Sequence, residues 1–270
     1  MKITAVISVH SDESYLRRCF QCMSENGVEA IVIDNDCNVA TKKIVEEFKG
    51  KVVKEIVHHP HNGVFDWSGI LQLKEDLVNS RQSDWFMLWD SDEIREAPEG
   101  FNTLQEAFEN TEKQGFTAVN FDEYIFLPVT KEEEHRSGDF VETLDTYYFF
   151  QPNRYNRTNA WKSTGEKVNL MPGAGHRVAF ESLNVSEERY ALRHYLFLSY
   201  KHGKDKYLVR KYPAADLAKG WSLERAQTTE ETFCLPPQEM MTRKMPNQAW
   251  NRSNPVKQHP VFVVPVRRKK

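Results

Sequence analysis

The sequence predicts an α/β fold, a mostly parallel sheet with flanking helices and a helical and extended appendage at the C-terminal end. Three observations carry this reading. Short apolar runs fit for buried strands recur at residues 3–9, 30–34, 52–57 and 85–89. Segments of helical period separate them, and the order βαβαβαβ is that of a parallel sheet with right-handed crossovers. Three of the strands run out into carboxylates, at Asp12, Asp34 and the run Asp90, Ser91, Asp92 and Glu93. Right-handed crossovers bring those ends to one edge, where open α/β sheets place their chemistry.

Each element has a local reason. After the strand 3–9, Ser11 is a candidate N-cap for a helix in which Tyr15, Leu16, Cys19, Phe20 and Met23 share a face, ended by Asn26 and Gly27. Ala30, Ile31, Val32 and Ile33 form a strand that closes on Asp34. Asn38 is placed to cap a helix carrying Ile44, Val45 and Phe48, with Gly50 to end it. The strand 52–57 runs into His58, His59, Pro60, His61, Asn62 and Gly63, a loop by its proline and Asn-Gly signals. Ile70, Leu73 and Leu77 mark a third helix before the strand 85–89. Leu104, Ala107, Phe108 and Thr111 mark a fourth, and 116–121 is a strand ending at Asp122 and Glu123.

Farther on, 131–139 is a charged loop, 146–150 an aromatic strand and 153–161 a polar connection holding Arg154, Arg157 and Trp161. Gly173, Ala174, Gly175 and His176 introduce a short strand, 192–197 is another, and 199–212 is helical. From Pro236, the prolines at 237, 246, 255, 260 and 265 describe an extended strap. The expected organisation is one domain over 1–235, its halves 1–125 and 126–235, followed by a strap over 236–270 that ends in a basic tail.

Hydrophobic residues are 40% and charged residues 28%, with a net charge of −3, which excludes the disordered and strongly basic classes. No nucleic-acid partner is expected. The run Arg267, Arg268, Lys269 and Lys270 reads as a solvated tail or a peripheral membrane contact. The first strand is too short, and too soon followed by Asp12 and Glu13, for a signal peptide, and no stretch reaches membrane-span length, so a cytoplasmic location is expected. Cys19 and Cys22 read as core thiols, and a zinc site recruiting Cys37 and Cys234 lacks a knuckle spacing. The loop histidines 58, 59 and 61 lack an accompanying carboxylate and read as solvated.

Two aspartates separated by one residue supply hard oxygen ligands for Mg²⁺ or Mn²⁺, although such triplets also occur on solvated loops. No GxGxxG follows the first strand and no GxxxxGK[ST] occurs anywhere, which disfavours dinucleotide binding of the Rossmann kind and P-loop chemistry.

With the strand ends at residues 6–13, at Ile33, Asp34 and Asn35, and at residues 90–93, the chain resembles the GT-A glycosyltransferases, specifically the family 2-like group, over residues 3–125. The resemblance implies a GT-A type, Rossmann-like sheet and a nucleotide-sugar cleft in which Asp12 and Asp34 hold base and ribose. The family's later Asn-x-Gly segment is similar to the stretch from Asn62 to Asp66, so Asn62, Asp66 and Asp90 join the expected nucleotide-sugar contacts. It makes 1–125 the donor half and 126–235 the acceptor-side half. The second half, with Trp161, Lys162, Gly175, His176, Arg193, His194 and Tyr195, resembles a less characterised branch without the usual Glu-Asp base on a helix.

Glycosyl transfer gathers negative charge on a departing diphosphate, so a cation bridging its oxygens favours the transition state. Asp90 and Asp92 are the expected metal ligands, and His194 the third, with His176 as a competitor and a core histidine as the bland alternative. Asp122 and Glu123 are the candidate catalytic bases, with Glu166 and Glu181 also possible, or else a strand-end cap or surface pair. Arg154, Arg157, Lys162 and Arg177 are either a diphosphate clamp or ordinary surface charge, and Trp67 and Trp161 either stack on a sugar or fill the core. The expected activity is metal-dependent transfer from a UDP- or GDP-sugar to a glycan or lipid-linked acceptor. Alternatives are a sugar-phosphate nucleotidyltransferase and a catalytically inactive saccharide-binding protein of the same fold.

Overall fold

A computed structural model describes residues 1–262; Pro265 and the basic tail from Arg267 lie outside the described residues. By internal contacts the chain divides into two compact units. The first comprises Met1–His61, Trp67–Glu123 and Arg154–Arg193; the second comprises Asn62–Asp66, Tyr124–Asn153 and, of the described residues, 194–262. Residues 154–193 thus fall in the same unit as Met1–His61.

The first unit opens with β1 (Ile3–Val9), α1 (Leu16–Glu25), β2 (Val28–Asp34), α2 (Val39–Phe48), β3 (Val53–His58), α3 (Trp67–Ser80) and β4 (Trp85–Leu88). It continues with β5 (Glu93–Glu96), α4 (Leu104–Lys113), β6 (Ala118–Val119) and β7 (Phe121–Phe126), whose last residues belong to the second unit. Then come α5 (Phe140–Thr143), β8 (Thr146–Phe150), β9 (Ala160–Lys162), a 3₁₀ turn at Met171–Gly173 and β10 (Tyr190–Tyr195). The chain goes on through α6 (Tyr200–Tyr207), α7 (Ala214–Ala218), α8 (Leu223–Gln227), a 3₁₀ turn at Gln238–Met240 and β11 (Thr242–Arg243).

The six-stranded sheet has the order β3-β2-β1-β4-β9-β6. β1 pairs in parallel with β2 and β4, and β2 with β3, while β9 runs antiparallel to both β4 and β6. The sheet is therefore mostly parallel, as expected, with one reversed strand. A second sheet has the order β11-β8-β7-β10-β5.

Alternate residues of β1 face opposite sides of the sheet. Ile3, Ala5, Ile7 and Val9 pack with Leu16, Phe20 and Met23 of α1, Ile44 and Val45 of α2, and Leu104, Ala107 and Phe108 of α4. These are the positions at which the helical period put apolar residues, so the periodicity and the core coincide. In the second unit Ile125, Tyr148, Phe150, Phe197, Tyr207, Phe233 and Phe262 form a separate aromatic core. Residues of the expected strap take part in it: Phe262 is 5% exposed and His259 stacks on Phe150 at 3.9 Å.

Several expectations need correction. Ser11 caps nothing: Tyr15 is the N-cap of α1 and Asp12 O accepts from the Tyr15 and Leu16 N–H groups. Asn38 does cap α2, its side chain accepting from Thr41 N at 2.8 Å. The helix expected over 199–212 stops at Tyr207, and the stretch after Gly175 forms only isolated bridges, Thr158 with Arg177 and Asn169 with Ala179. Asp122 and Glu123 lie within β7, not beyond a strand end. Among the described residues no helix is long and apolar enough to cross a membrane.

The thiols divide by burial. Cys19, Cys22 and Cys37 are buried and Cys234 is exposed. Burial pushes the Cys19 thiol well above its ordinary range and the Cys22 thiol up to about 11. Since the thiolate is the nucleophile, a thiol reagent near neutral pH should modify one cysteine per native chain rapidly and the other three only on unfolding. Fast modification of two or more native thiols would contradict this packing.

Candidate functional site

The chain moves from β1 to β2 and β3 on one side, then returns to place β4 on the other side of β1. Open α/β sheets bind ligands at such a reversal, outside the carboxyl ends of the strands. Here those ends are knitted together by hydrogen bonds. Asn35 N donates to Val9 O at 2.9 Å, His59 N donates to Asp34 O at 2.9 Å, and the Asn35 side chain donates to His59 O at 2.9 Å. His10 Nδ1 lies 2.6 Å from Asn35 O, and the His10 ring stacks on that of His61 at 4.1 Å. Asp12 closes the set: its carboxylate accepts from His10 N at 2.6 Å and from Ser91 Oγ at 2.5 Å. The last bond joins the turn after β1 to the turn after β4 across the reversal itself.

The rim is anionic. Asp34 accepts from Cys37 N at 2.7 Å and lies 3.7 Å from Lys42 Nζ. Burial, and next the adjoining Asp34 and Asp12 carboxylates, push the Cys37 thiol up. Asp90 faces Lys74 Nζ at 3.5 Å; the lysine side chain is 1% exposed and the aspartate 42%. Lys74 also lies 5.0 Å from the centre of the Trp67 ring, a cation–π contact that offsets part of the cost of burying the ammonium. Trp67 is held in turn by Ala174 O, 3.0 Å from its indole nitrogen. Gly175 permits this approach: a Cβ there would meet Leu71 at 3.0 Å and Trp67 at 3.2 Å.

Behind the rim, Glu93 and Arg95 are buried in β5. Arg95 donates to Glu93 at 2.6 Å, to Leu88 O at 2.7 Å and to Asn159 at 3.0 Å. Arg157 donates two bonds to Glu123, at 2.8 and 2.5 Å, and lies 3.7 Å from Glu93. Asn156 adds a third bond to Glu123, at 3.0 Å. Glu123 is therefore the anchor of a buried arginine, and a carboxylate so engaged does not serve as an open base. Arg157, a candidate diphosphate clamp by sequence, is spent in the same pair. Asp122 is 4% exposed and receives Arg189 at 2.9 Å.

Asn62, Asp66 and the buried His194 belong to the second unit, while Asp12, Asp34, Asp90 and Asp92 belong to the first. His176 and Arg177 are exposed, Lys162 pairs with Glu112 at 2.7 Å, Arg154 pairs with Glu187, and Trp161 is a core residue. Glu166 and Glu181 are exposed. Among the described residues no three His, Cys, Asp or Glu side chains are gathered to hold a metal ion. What the rim offers is a pair of hard carboxylates, Asp90 and Asp92, suited to an ion that takes its other ligands from phosphate and water. Sequence reasoning missed Ser91, Lys74 and Asn35. The spacing of Lys74 from Ile70 and Leu77, on the buried face of α3, was the available signal for the lysine.

No protein-family description and no curated protein matches the chain. Among solved structures it is similar to S. aureus TarS 1–349, with a TM-score of 0.46, 12% identity, and coverage of 72% of this chain and 60% of that one. It is similar also to that protein in complex with UDP, with a TM-score of 0.46, 12% identity, and coverage of 73% and 61%. A mycobacterial protein matches with a TM-score of 0.39, 12% identity, and coverage of 90% and 83%. UDP-glucose pyrophosphorylase complexed with UDP-glucose matches with a TM-score of 0.29, 10% identity, and coverage of 66% and 73%. The chain thus spans about 60% of the TarS structure.

Removing one member of a buried ion pair strands the other charge, at a cost of about 3–5 kcal/mol. Arg157→Leu should lower stability to urea by that amount, and Arg157→Leu with Glu123→Leu should recover most of it. A single variant within about 1 kcal/mol of wild type would contradict the buried pairing.

Proposed function

We propose that the rim at the β1/β4 reversal binds a nucleotide sugar and that the protein is a glycosyltransferase, moving a hexose from a UDP- or GDP-sugar to a glycan or lipid-linked acceptor. The observation that carries this reading is the Ser91–Asp12 bond, which fixes two carboxylate-bearing turns at the one place where an open α/β sheet forms a ligand crevice.

Each rim residue has a separable task. Asp12 already accepts two bonds and braces the turn. Asp34 accepts one backbone N–H and has acceptor capacity left for a ribose hydroxyl or a base N–H. Asp90 and Asp92 would hold a divalent cation, Mn²⁺ or Mg²⁺. Bound there with the donor, that ion would neutralise the charge gathering on the departing diphosphate. Lys74 supplies a fixed positive charge beneath Asp90 and limits the net charge of the pair. Without a cation the clustered carboxylates repel a diphosphate, so ion and nucleotide bind as a unit.

Both candidate bases are engaged by arginines, but Asp122 is retained for the acceptor hydroxyl's proton because its partner Arg189 is 51% exposed, whereas the Arg157 that clamps Glu123 is buried. A nucleotidyltransferase reading finds no basic loop after β1. The turn carries Asp12 and Glu13, the latter held by Asn38 and Thr41 at 2.9 Å each.

Calorimetric titration tests the reading. Mn²⁺ alone should bind weakly, and UDP or GDP with Mn²⁺ much more tightly than either alone. Asp92→Ala should abolish that cooperation, whereas Asp34→Ala should weaken the nucleotide by about 1–3 kcal/mol and leave the cooperation intact. Equal nucleotide affinity with and without chelator would contradict metal sharing. Cooperative binding without any hydrolysis or transfer from a panel of nucleotide sugars would leave only a binding protein.

A further inference from the structure

The first unit holds a polar cleft of about 280 Å³ that the nucleotide rim does not use. Its floor is formed where β6 passes into β7 and its wall by the stretch before β10, with Asn120, Asp122, Ser186 and Glu188 among its lining residues. β6 runs antiparallel to β9, and β9 antiparallel to β4, so Asn120 follows the same end of β6 as Asp90 follows of β4. Two strand spacings, roughly 10 Å, separate those strands.

The inner wall carries hydrogen-bonding capacity that the chain does not consume. Asn120 is 8% exposed, and its Oδ1 accepts from Arg157 N at 3.0 Å and from Thr158 Oγ1 at 3.3 Å. These two donors fix the amide orientation, and among the described residues its NH₂ group has no partner. Ser186 is 1% exposed; its Oγ accepts from Glu188 N at 3.2 Å, which leaves the hydroxyl proton to be donated. Glu188 Oε2 is a buried acceptor with no partner. Buried donors and acceptors left unmatched are costly, and a ligand that matches them recovers that cost.

The charges decide against an anion. The cleft's two guanidinium groups are both committed, Arg189 to Asp122 and Arg154 to Glu187, and Glu188 adds a third carboxylate. A net acidic cleft repels phosphate and carboxylate. A ring bearing neighbouring hydroxyls, each able to donate and accept, matches two donors beside an acceptor. A volume near 280 Å³ is small for a ligand site and suits one ring.

We infer that this cleft binds a single pyranose unit of a neutral saccharide. That it is the terminal sugar of the acceptor rests on the transferase reading; that it takes a pyranose rests on the cleft alone.

Saturation-transfer NMR with methyl glycosides of common hexoses, on the full chain without nucleotide, tests it. At least one glycoside should bind wild type. Asn120→Asp, which keeps the oxygen held by Arg157 and removes the donor, should weaken it about tenfold, and Glu188→Gln likewise, with melting temperatures near wild type. UDP titration of the same variants should be unchanged. No binding of any glycoside to wild type, equal binding to both variants, or displacement of the glycoside by inorganic phosphate would overturn the inference. Glycoside binding without UDP binding would sustain the cleft and remove the transferase reading; UDP binding without glycoside binding would do the reverse.

Discussion

A hydrogen bond of 2.5 Å between Ser91 and Asp12 ties the ends of β1 and β4 together where the sheet reverses direction. Parallel strands diverge at their ends because each twists and leaves the sheet by its own turn. Without a tie, Asp12, Asp90 and Asp92 would sit on independent loops. With it, and with Asn35 binding the ends of β2 and β3, four strand ends become one rigid rim. Groups held by such secondary bonds keep one fixed geometry relative to each other.

Rigidity at the front is matched by charge management behind. Glu93, Arg95, Arg157 and Glu123 lie in the core with side-chain exposures of at most 5%. Such a network is weak evidence for stability, because burying ions costs several kcal/mol each. Its value is positional. Arg95 holds Leu88 O and Asn159 together, and Asp90 N lies 3.2 Å from the Glu93 carboxylate that Arg95 orients. Arg95 also packs against Trp89 and Phe121 at 5.1 and 4.5 Å. The network thus ties the end of β4 to β5, to Glu123 of β7 and to the stretch before β9.

The first 90 residues were legible because β1, β2 and β4 are apolar on both faces and the helices are apolar on one, so period and burial agree. Asn38 as a cap was readable for the same local reason. Legibility failed where charge is buried. Glu93, Ile94, Arg95 and Glu96 look like a solvated turn, yet form β5, because the arginine and glutamate neutralise each other out of water. β9 was hidden in an arginine-rich stretch whose Arg157 pairs inward. Asp122 and Glu123 read as a strand terminus, and no local rule reveals that partners 34 and 67 residues away let β7 carry them through the core. Asp34 and Asp90 could be placed at strand ends because a carboxylate after an apolar strand is a local signal. Lys74 and Ser91 mattered only once distant elements met.

Crystals of the protein grown with UDP and Mn²⁺ test the central claim most directly, by locating the nucleotide. The account predicts difference density with the nucleoside at Asp34, the diphosphate at the turn after β4, and an anomalous manganese peak against Asp90 and Asp92. Nucleotide density elsewhere on the chain, with the Ser91–Asp12 rim empty, would contradict it.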